Sequence, residues 1–261
     1  MSAPVGFAED ELTHDALLGG RVRLWQPRRG YRAATDPVFL AAAAPARPGE
    51  TVLDLGCGAG AAALCLAARV PGLTLHGLEL QPSYAALARR NAAEAGVALT
   101  VHEGDLRRAP ATLRALTFDH VLANPPFFPP EAPPAADPGR DTAQREAATP
   151  ADWIAAALRR LRPGGRVTVI HRTERLAALL AALEGRAGDI RVLPLAAREG
   201  RPAGRVILSA RKGARGPLTL LAPLVIHAGP VHLRDEDDFT PAAAAVLRDG
   251  AALPLQPPET P

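Results

Sequence analysis

The sequence has few cysteines, one lysine, few aromatic residues and no long apolar segment. Cys57 and Cys65 are the only cysteines among 261 residues, so a disulfide framework is excluded. No group of histidines and cysteines has metal-ligand spacing, and we expect no metal site. No segment approaches the ~20 apolar residues of a membrane span, and the acidic start at Glu9–Glu11 differs from a signal peptide. We therefore expect a cytoplasmic protein with no membrane contact.

Arginine carries almost all of the positive charge. Lysine and arginine total 30 against 27 acidic residues, for a formal net charge of +3, and Lys212 is the only lysine. This small excess is compatible with a nucleic-acid partner. Abundant alanine, arginine, glycine and proline are also typical of a GC-rich genome, so the arginine content alone favours neither explanation.

Short apolar segments alternate with helical Ala/Leu-rich segments, which predicts an α/β protein with a doubly wound parallel sheet. The predicted strands are residues 51–55, 73–79, 98–102, 118–123, 166–171, 190–195 and 205–210, and the predicted helices are 61–70, 82–95, 152–161 and 174–183. We expect residues 218–226 to be a hairpin partner of the last strand. Residues 128–150 form a Pro-rich connection longer than an ordinary loop. We divide the chain into an N-terminal extension (1–45), a central domain (46–230) and a C-terminal segment with a tail (231–261).

A glycine-rich loop follows the first strand, with the pattern Asp54-x-Gly56-x-Gly58-x-Gly60 and Cys57 inside it. Glycines allow the backbone to turn tightly and to approach a ligand closely. The spacing is Gly-x-Gly-x-Gly and not the Gly-x-Gly-x-x-Gly of dinucleotide enzymes. It therefore favours a zwitterionic cofactor, such as the methionine part of S-adenosylmethionine, over a pyrophosphate. The alternative is a plain strand-to-helix turn.

Acidic residues end the next two predicted strands. Glu79, followed by Leu80, is placed to accept hydrogen bonds from both hydroxyls of a cofactor ribose. Asp105 could accept from the amino group of the cofactor adenine, with Leu106 against the ring. The alternatives are a solvated strand end for Glu79 and a helix N-cap for Asp105. Asp36 could contact the cofactor amine or cap the helix that follows it.

The most informative segment is Asn124-Pro125-Pro126-Phe127, which ends the strand at residues 118–123. The amino nitrogen of adenine is a poor nucleophile because its lone pair is delocalised into the ring. The side-chain carbonyl of Asn124 and the backbone carbonyl of Pro125 can accept its two hydrogens and aim the lone pair. Proline stiffens the turn, and Phe127 can stack on the base. The alternative is an ordinary Pro-rich loop.

Together these segments resemble the class I S-adenosylmethionine-dependent methyltransferases of the Asn-Pro-Pro-aromatic type. Residues 26–32 and 35–40, Arg145-Glu146, Arg211-Lys212-Gly213 and Phe239-Thr240-Pro241 are similar to the bacterial tRNA1(Val) adenine-37 N6-methyltransferase family. The resemblance covers nearly the whole chain. It implies a Rossmann-like, seven-stranded, doubly wound sheet with strand seven antiparallel and helices on both faces. It also implies S-adenosyl-L-methionine as cofactor and methyl transfer to N6 of an anticodon-loop adenine. One departure is Phe127, where tyrosine is commoner.

A tRNA substrate requires phosphate contacts, for which the sequence offers clusters of basic residues. Our candidates are Arg28, Arg29, Arg32, Arg211 and Lys212; the alternative for each is a solvated face. Other possible functions are an rRNA, DNA-adenine or protein-glutamine methyltransferase with the same tetrad, and a non-catalytic RNA-binding protein of this fold. The glycine spacing disfavours a nicotinamide oxidoreductase.

Overall fold

The computed structural model describes residues 6–126, 148–229 and 238–255. Its centre is a nine-stranded sheet, preceded by a separate two-stranded antiparallel sheet. The strands are β1 (Leu12–Leu17), β2 (Val22–Pro27), β3 (Thr51–Leu55), β4 (Thr74–Glu79), β5 (Leu99–Glu103), β6 (Phe118–Ala123), β7 (Leu161–Arg172), β8 (Ala187–Ala196), β9 (Ala203–Lys212), β10 (Leu218–Leu220) and β11 (Leu224–Val225). The helices are α1 (Asp36–Ala43), α2 (Ala61–Arg69), α3 (Pro82–Glu94), α4 (Ala111–Arg114), α5 (Pro150–Arg160), α6 (Leu176–Leu183) and α7 (Pro241–Leu247). None of the helices within these described ranges has the length and apolar character to cross a membrane.

The strand order of the large sheet is β10-β8-β9-β7-β6-β3-β4-β5, and β11 also pairs with β8. The pairs from β5 to β7 are parallel, whereas β9 runs antiparallel to both β7 and β8. The strands β3 to β9 correspond to the seven predicted ones, and the last is antiparallel as the resemblance implies. The Rossmann-like architecture is confirmed, with β10 and β11 as two short additions at one edge.

The prediction of a hairpin at residues 218–226 is wrong. Leu218 pairs with Ile190 and Leu224 with Leu195, both in parallel register, so β10 and β11 each extend the edge at β8. The reason is topological. β9 already has a neighbour on each side, and no edge of it is left for a hairpin partner. β10 and β11 therefore pair with the edge of β8 that faces away from β9.

The central strands are buried on both faces, as parallel strands covered by helices must be. All six residues of β6 are buried, and so are the last four residues of β3. Helix α2 follows the glycine loop and buries its first six residues, of which the first three are alanines. Small side chains let the helix lie close to the strands, and its amino terminus faces the carboxyl end of β3.

A buried asparagine on α3 binds the backbone of the N-terminal segment. The Asn91 side chain on α3 accepts from the Trp25 backbone N–H at 2.8 Å and donates to the Trp25 carbonyl at 3.1 Å. It also donates to the carbonyl of Ala59 in the glycine loop at 2.9 Å. The hairpin of β1 and β2 is thereby fixed beside the loop. The division of the chain into three domains stays a prediction.

Candidate active site

The carboxyl ends of β3, β4, β5 and β6 meet around a cavity of about 370 Å³. Parallel strands bring their carboxyl ends to one edge of the sheet, where ligands of such folds bind. Most of the residues predicted from the sequence line this cavity: Asp36, Gly56, Gly58, Glu79, Leu80, Asp105, Leu106, Asn124, Pro125 and Pro126. Phe127, the last residue of the predicted tetrad, lies outside the described residues.

Two features require glycine at position 56: the backbone conformation and the close approach of a neighbouring side chain. Its φ is +74°, in the left-handed region that favours glycine. A Cβ at this position would lie 2.5 Å from Cη2 of Trp153, which is buried on α5. Helix α5 begins with a capping box, in which Thr149 and Asp152 bond to each other's backbone N–H groups. This cap places the Trp153 indole beside the loop, where it also lines the cavity.

We expect Gly56→Ala to lower the free energy of unfolding by about 1–3 kcal/mol more than Gly96→Ala does, because overpacking adds to backbone strain. Gly96 is the matched control: its φ is +64°, and a Cβ added there would meet no atom within 4 Å. Urea unfolding of both variants measures the difference. Equal losses would show that Trp153 moves aside at no cost.

Glu79 holds the glycine loop from the end of β4. Its Oε2 accepts the Gly58 N–H at 2.9 Å, and its Oε1 accepts the Gln81 N–H at 2.9 Å. Burial raises the pKa of this carboxyl group, and the backbone hydrogen bonds oppose that rise only in part. Each carboxylate oxygen can accept a second hydrogen bond. Glu79 can therefore bind a pair of ligand hydroxyls without releasing the loop.

Three of the predicted cofactor residues do not line the main cavity. Asp54 lies beneath the loop and accepts the Ala63 N–H at 3.3 Å; burial, assisted by the charge of Glu79, raises its pKa to about 7. A Cβ on Gly77 would lie 2.7 Å from the Cys57 sulfur, so that thiol packs against β4. Gly60 precedes α2 with a φ of +90°. In this structure, these three residues support the conformation of the glycine loop and are not part of the main cavity wall.

Asp105 shows the capping geometry that the sequence left open. Its side chain accepts the Arg107 N–H at 2.8 Å, and its carboxylate pairs with the Arg107 guanidinium at 2.6 Å. This hydrogen-bonded ion pair holds the pKa of Asp105 below its ordinary value. The carboxylate still borders the cavity, beside Leu106. A ligand amino group would share it with Arg107.

Asp36 is the first residue of α1, and Thr35 precedes it as the N-cap residue. The Asp36 carboxylate pairs with Nε of Arg205 at 3.0 Å, and both side chains line the cavity. Asp36 itself does not cap α1, because Thr35 occupies the N-cap position. That Asp36 contacts a cofactor amine stays a prediction. The pair with Arg205 joins the start of α1 to β9 across one wall of the cavity.

The Asn124 amide has one satisfied end and one unsatisfied end. Its Nδ2 donates to the Tyr31 hydroxyl at 3.2 Å. Its Oδ1 is buried and has no hydrogen-bond partner among the described residues. A buried acceptor without a donor is unfavourable, and native proteins rarely keep one unless a ligand or water satisfies it. The atom fits an acceptor for a substrate amino group.

Several residues that line the cavity were not identified from the sequence: Tyr31, Thr35, Gln81, Tyr84, Trp153 and Arg205. Tyr31 lies inside the upstream motif, so the motif itself could have suggested it. Trp153 and Arg205 belong to α5 and β9, far along the chain from the strand ends. No local pattern connects them with the glycine loop; only the topology does.

The predicted basic residues are divided between two ends of the molecule. Arg32 lines the cavity and pairs with Asp15 at 2.7 Å, and Nε of Arg28 donates to the Asp10 carbonyl on the hairpin side. Arg211 and Lys212 lie at the opposite end of the sheet, where they donate to carbonyls at the start of β7. Arg211 there borders a second cavity of about 390 Å³ with five other arginines: Arg47, Arg69, Arg162, Arg166 and Arg191. That Arg28, Arg29, Arg32, Arg211 and Lys212 contact substrate stays a prediction.

A metal centre has no support in the described part of the chain. None of its clusters of His, Cys, Asp and Glu could hold a metal ion.

Comparisons with known proteins identify the class. The family model for the methyltransferase small domain matches residues 35–193, more than half of the chain. The tRNA1(Val) (adenine(37)-N6)-methyltransferase of Porphyromonas gingivalis is 30% identical over 243 residues, which covers 84% of this chain and 92% of the relative. The protein of the same name from Dickeya chrysanthemi is 30% identical over 230 residues, which covers 85% of this chain and 88% of the relative. The chain therefore belongs to the methyltransferase small domain family.

Among solved structures, a predicted O-methyltransferase from Agrobacterium tumefaciens superposes with a TM-score of 0.68 at 30% identity. The match covers 84% of this chain and 98% of that one. The fold likeness thus extends over most of the chain.

Proposed function

We propose that this protein is an S-adenosylmethionine-dependent methyltransferase that transfers a methyl group to N6 of adenine 37 in tRNA1(Val). The observation that carries the proposal is the buried Oδ1 of Asn124, which has no partner among the described residues and belongs to a residue that lines the cavity of Glu79 and the glycine loop. The names of the relatives support the choice of adenine and tRNA. A tRNA substrate also supports the expected cytoplasmic location.

The cavity wall fits the cofactor group by group. Gly56 and Gly58 present backbone without side chains, as close approach of the methionine part requires. Glu79 offers carboxylate oxygens for the two ribose hydroxyls. Leu80, 52% exposed at the cavity rim, offers apolar contact for the adenine ring. The bound cofactor supplies the chemistry of the reaction, a methyl group made electrophilic by a sulfonium centre.

The residues of the protein orient the substrate base and direct the dipoles of two carbonyl groups at its amino group. The target base leaves its stack to enter the cavity. The Asn124 side-chain carbonyl and the Pro125 backbone carbonyl accept the two amino hydrogens, which directs the nitrogen lone pair toward the methyl carbon. Transfer would exchange the S–C bond of the cofactor for the new N–C bond, and the amino nitrogen would then release one proton to solvent. No general base is needed, and the nearby carboxylates of Asp36 and Asp105 are engaged by arginines.

The test is methylation of a tRNA1(Val) transcript by purified protein, followed by nucleoside mass spectrometry. We expect one N6-methyladenosine per transcript at position 37, and none in a transcript with guanine there. RNA binding should weaken steeply with added salt, because phosphate contacts release counterions. Methylation of rRNA fragments or of a glutamine-containing release-factor peptide, without methylation of this tRNA, would show that the proposed substrate is wrong. RNA binding with no cofactor binding in calorimetry would favour a non-catalytic protein.

A further inference from the structure

Tyr31 is the described side chain that hydrogen-bonds to the Asn124 amide. The contact joins Nδ2 of Asn124 to the tyrosine Oη at 3.2 Å. It leaves Oδ1, the other end of the same amide, without a partner among the described residues. With the nitrogen engaged by tyrosine, the oxygen is the atom left for a substrate amino group. The opposite amide orientation would present N–H hydrogens to an amino group that itself has hydrogens to donate.

Tyr31 is held in place without help from Asn124. The Tyr84 hydroxyl accepts the Tyr31 N–H at 2.9 Å and donates to the Tyr31 carbonyl at 3.1 Å. Tyr84 is a buried residue of α3, and the ring of Phe7 packs edge-on against it with centroids 5.3 Å apart. The Tyr31 ring passes over the glycine loop, where a Cβ on Gly58 would be 3.7 Å from Cε1. Tyr31 is therefore a fixed reference for the amide.

We propose that Tyr31 is a positioning residue: its hydroxyl fixes the rotation of the Asn124 amide so that Oδ1 faces the amino group being methylated. The two ends of an asparagine amide have nearly the same shape, so packing alone does not choose between them. The hydrogen bond from Nδ2 to the Tyr31 hydroxyl holds the amide in the observed rotation, and a substrate amino group, which donates, is complementary only to that rotation. This inference rests on the proposed function, and it assigns a role to the upstream segment that its sequence did not reveal.

The first test is Tyr31→Phe, which removes the hydroxyl and keeps the ring over the glycine loop. We expect kcat on the tRNA1(Val) transcript to fall roughly 10- to 100-fold, the size of effect that misorientation produces, with KM for the cofactor changed by no more than about twofold. Thermal unfolding and cofactor calorimetry on the same sample verify that the variant is folded. A kcat equal to that of the wild type would overturn the proposal.

The second test separates orientation from general support of the site. In Asn124→Asp the two carboxylate oxygens are equivalent, so rotation no longer changes which atom faces the substrate. In that background Tyr31→Phe should lower kcat by no more than about threefold, because coupled residues are non-additive. An equal loss in both backgrounds would mean that the hydroxyl acts in some other way, and the proposal would fail.

The third test needs no turnover, and so it can be carried out even if the Asn124→Asp variant of the second test is inactive. RNA with adenine at position 37 and RNA with purine there, which lacks the amino group, are bound in the presence of S-adenosylhomocysteine. The wild type should prefer adenine, and Tyr31→Phe should bind the two RNAs alike. An unchanged preference would contradict the proposal. If the wild type fails to methylate the tRNA at all, the proposed function fails, and this inference fails with it.

Discussion

Replacing Asn124 by alanine is expected to lower kcat by about a thousandfold, near the upper end of what removal of one preorganised dipole costs an enzyme. The variant loses the Oδ1 acceptor and, with it, the alignment of the amino lone pair. Cofactor affinity should stay within about twofold, because the residues proposed for ribose and methionine contacts are on other strand ends. Calorimetry with S-adenosylmethionine and single-turnover methylation of the tRNA transcript measure the two quantities separately.

The control for this variant is the other asparagine of the chain, Asn91. It does not line the cavity; its amide joins α3 to the Trp25 backbone and to Ala59. Asn91→Ala should therefore show the opposite profile, a clear loss of unfolding free energy with little change in kcat per folded molecule. Asn124→Ala gives up one hydrogen bond to Tyr31 and should unfold within about 1 kcal/mol of the wild type. Wild-type turnover by Asn124→Ala would refute the catalytic assignment.

The site residues that could be predicted from the sequence are those whose local sequence pattern indicates their position in the fold. Gly56, Glu79 and Asn124 each come at the end of a short apolar run, which marks them as strand ends, and Gly58 follows Gly56 within the same loop. In a parallel sheet, carboxyl ends of neighbouring strands converge. Their meeting in one cavity therefore followed from the alternation of strands and helices, with no knowledge of contacts.

The features of the fold and the site that could not be predicted depend on which distant segments the topology brings together. Tyr31 and Arg205 reach the cavity from a loop before α1 and from β9, and their residue types carry no sign of it. The same limit explains the wrong hairpin: residues 218–226 have strand character, but only the sheet order shows that β9 has no free edge. Arg211 illustrates it again. A basic turn is compatible with RNA binding, yet its position at the far end of the sheet is set by strand direction.

Glu79→Ala is expected to raise the dissociation constant for S-adenosylmethionine by roughly 100-fold or more. Hydrogen bonds to a charged partner contribute about 1.5–3 kcal/mol each, and the variant loses the proposed pair to the ribose. It also leaves the Gly58 and Gln81 N–H groups without their acceptor, so the loop loses its fixed shape. Glu79→Gln should be nearly as harmful, because its NH₂ group would face one of those backbone donors.

The chain contains a matched control for this variant one strand away. Glu103 ends β5 and is the register partner of Glu79 across the β4–β5 pair, but it does not line the cavity and pairs with Arg89 at 2.7 Å on the surface. Glu103→Ala removes the same charge from the neighbouring strand end. If affinity depended on the net charge of this edge, the two variants would weaken binding equally. We expect Glu103→Ala to bind the cofactor as the wild type does, because affinity depends on a carboxylate placed between the glycine loop and the start of α3.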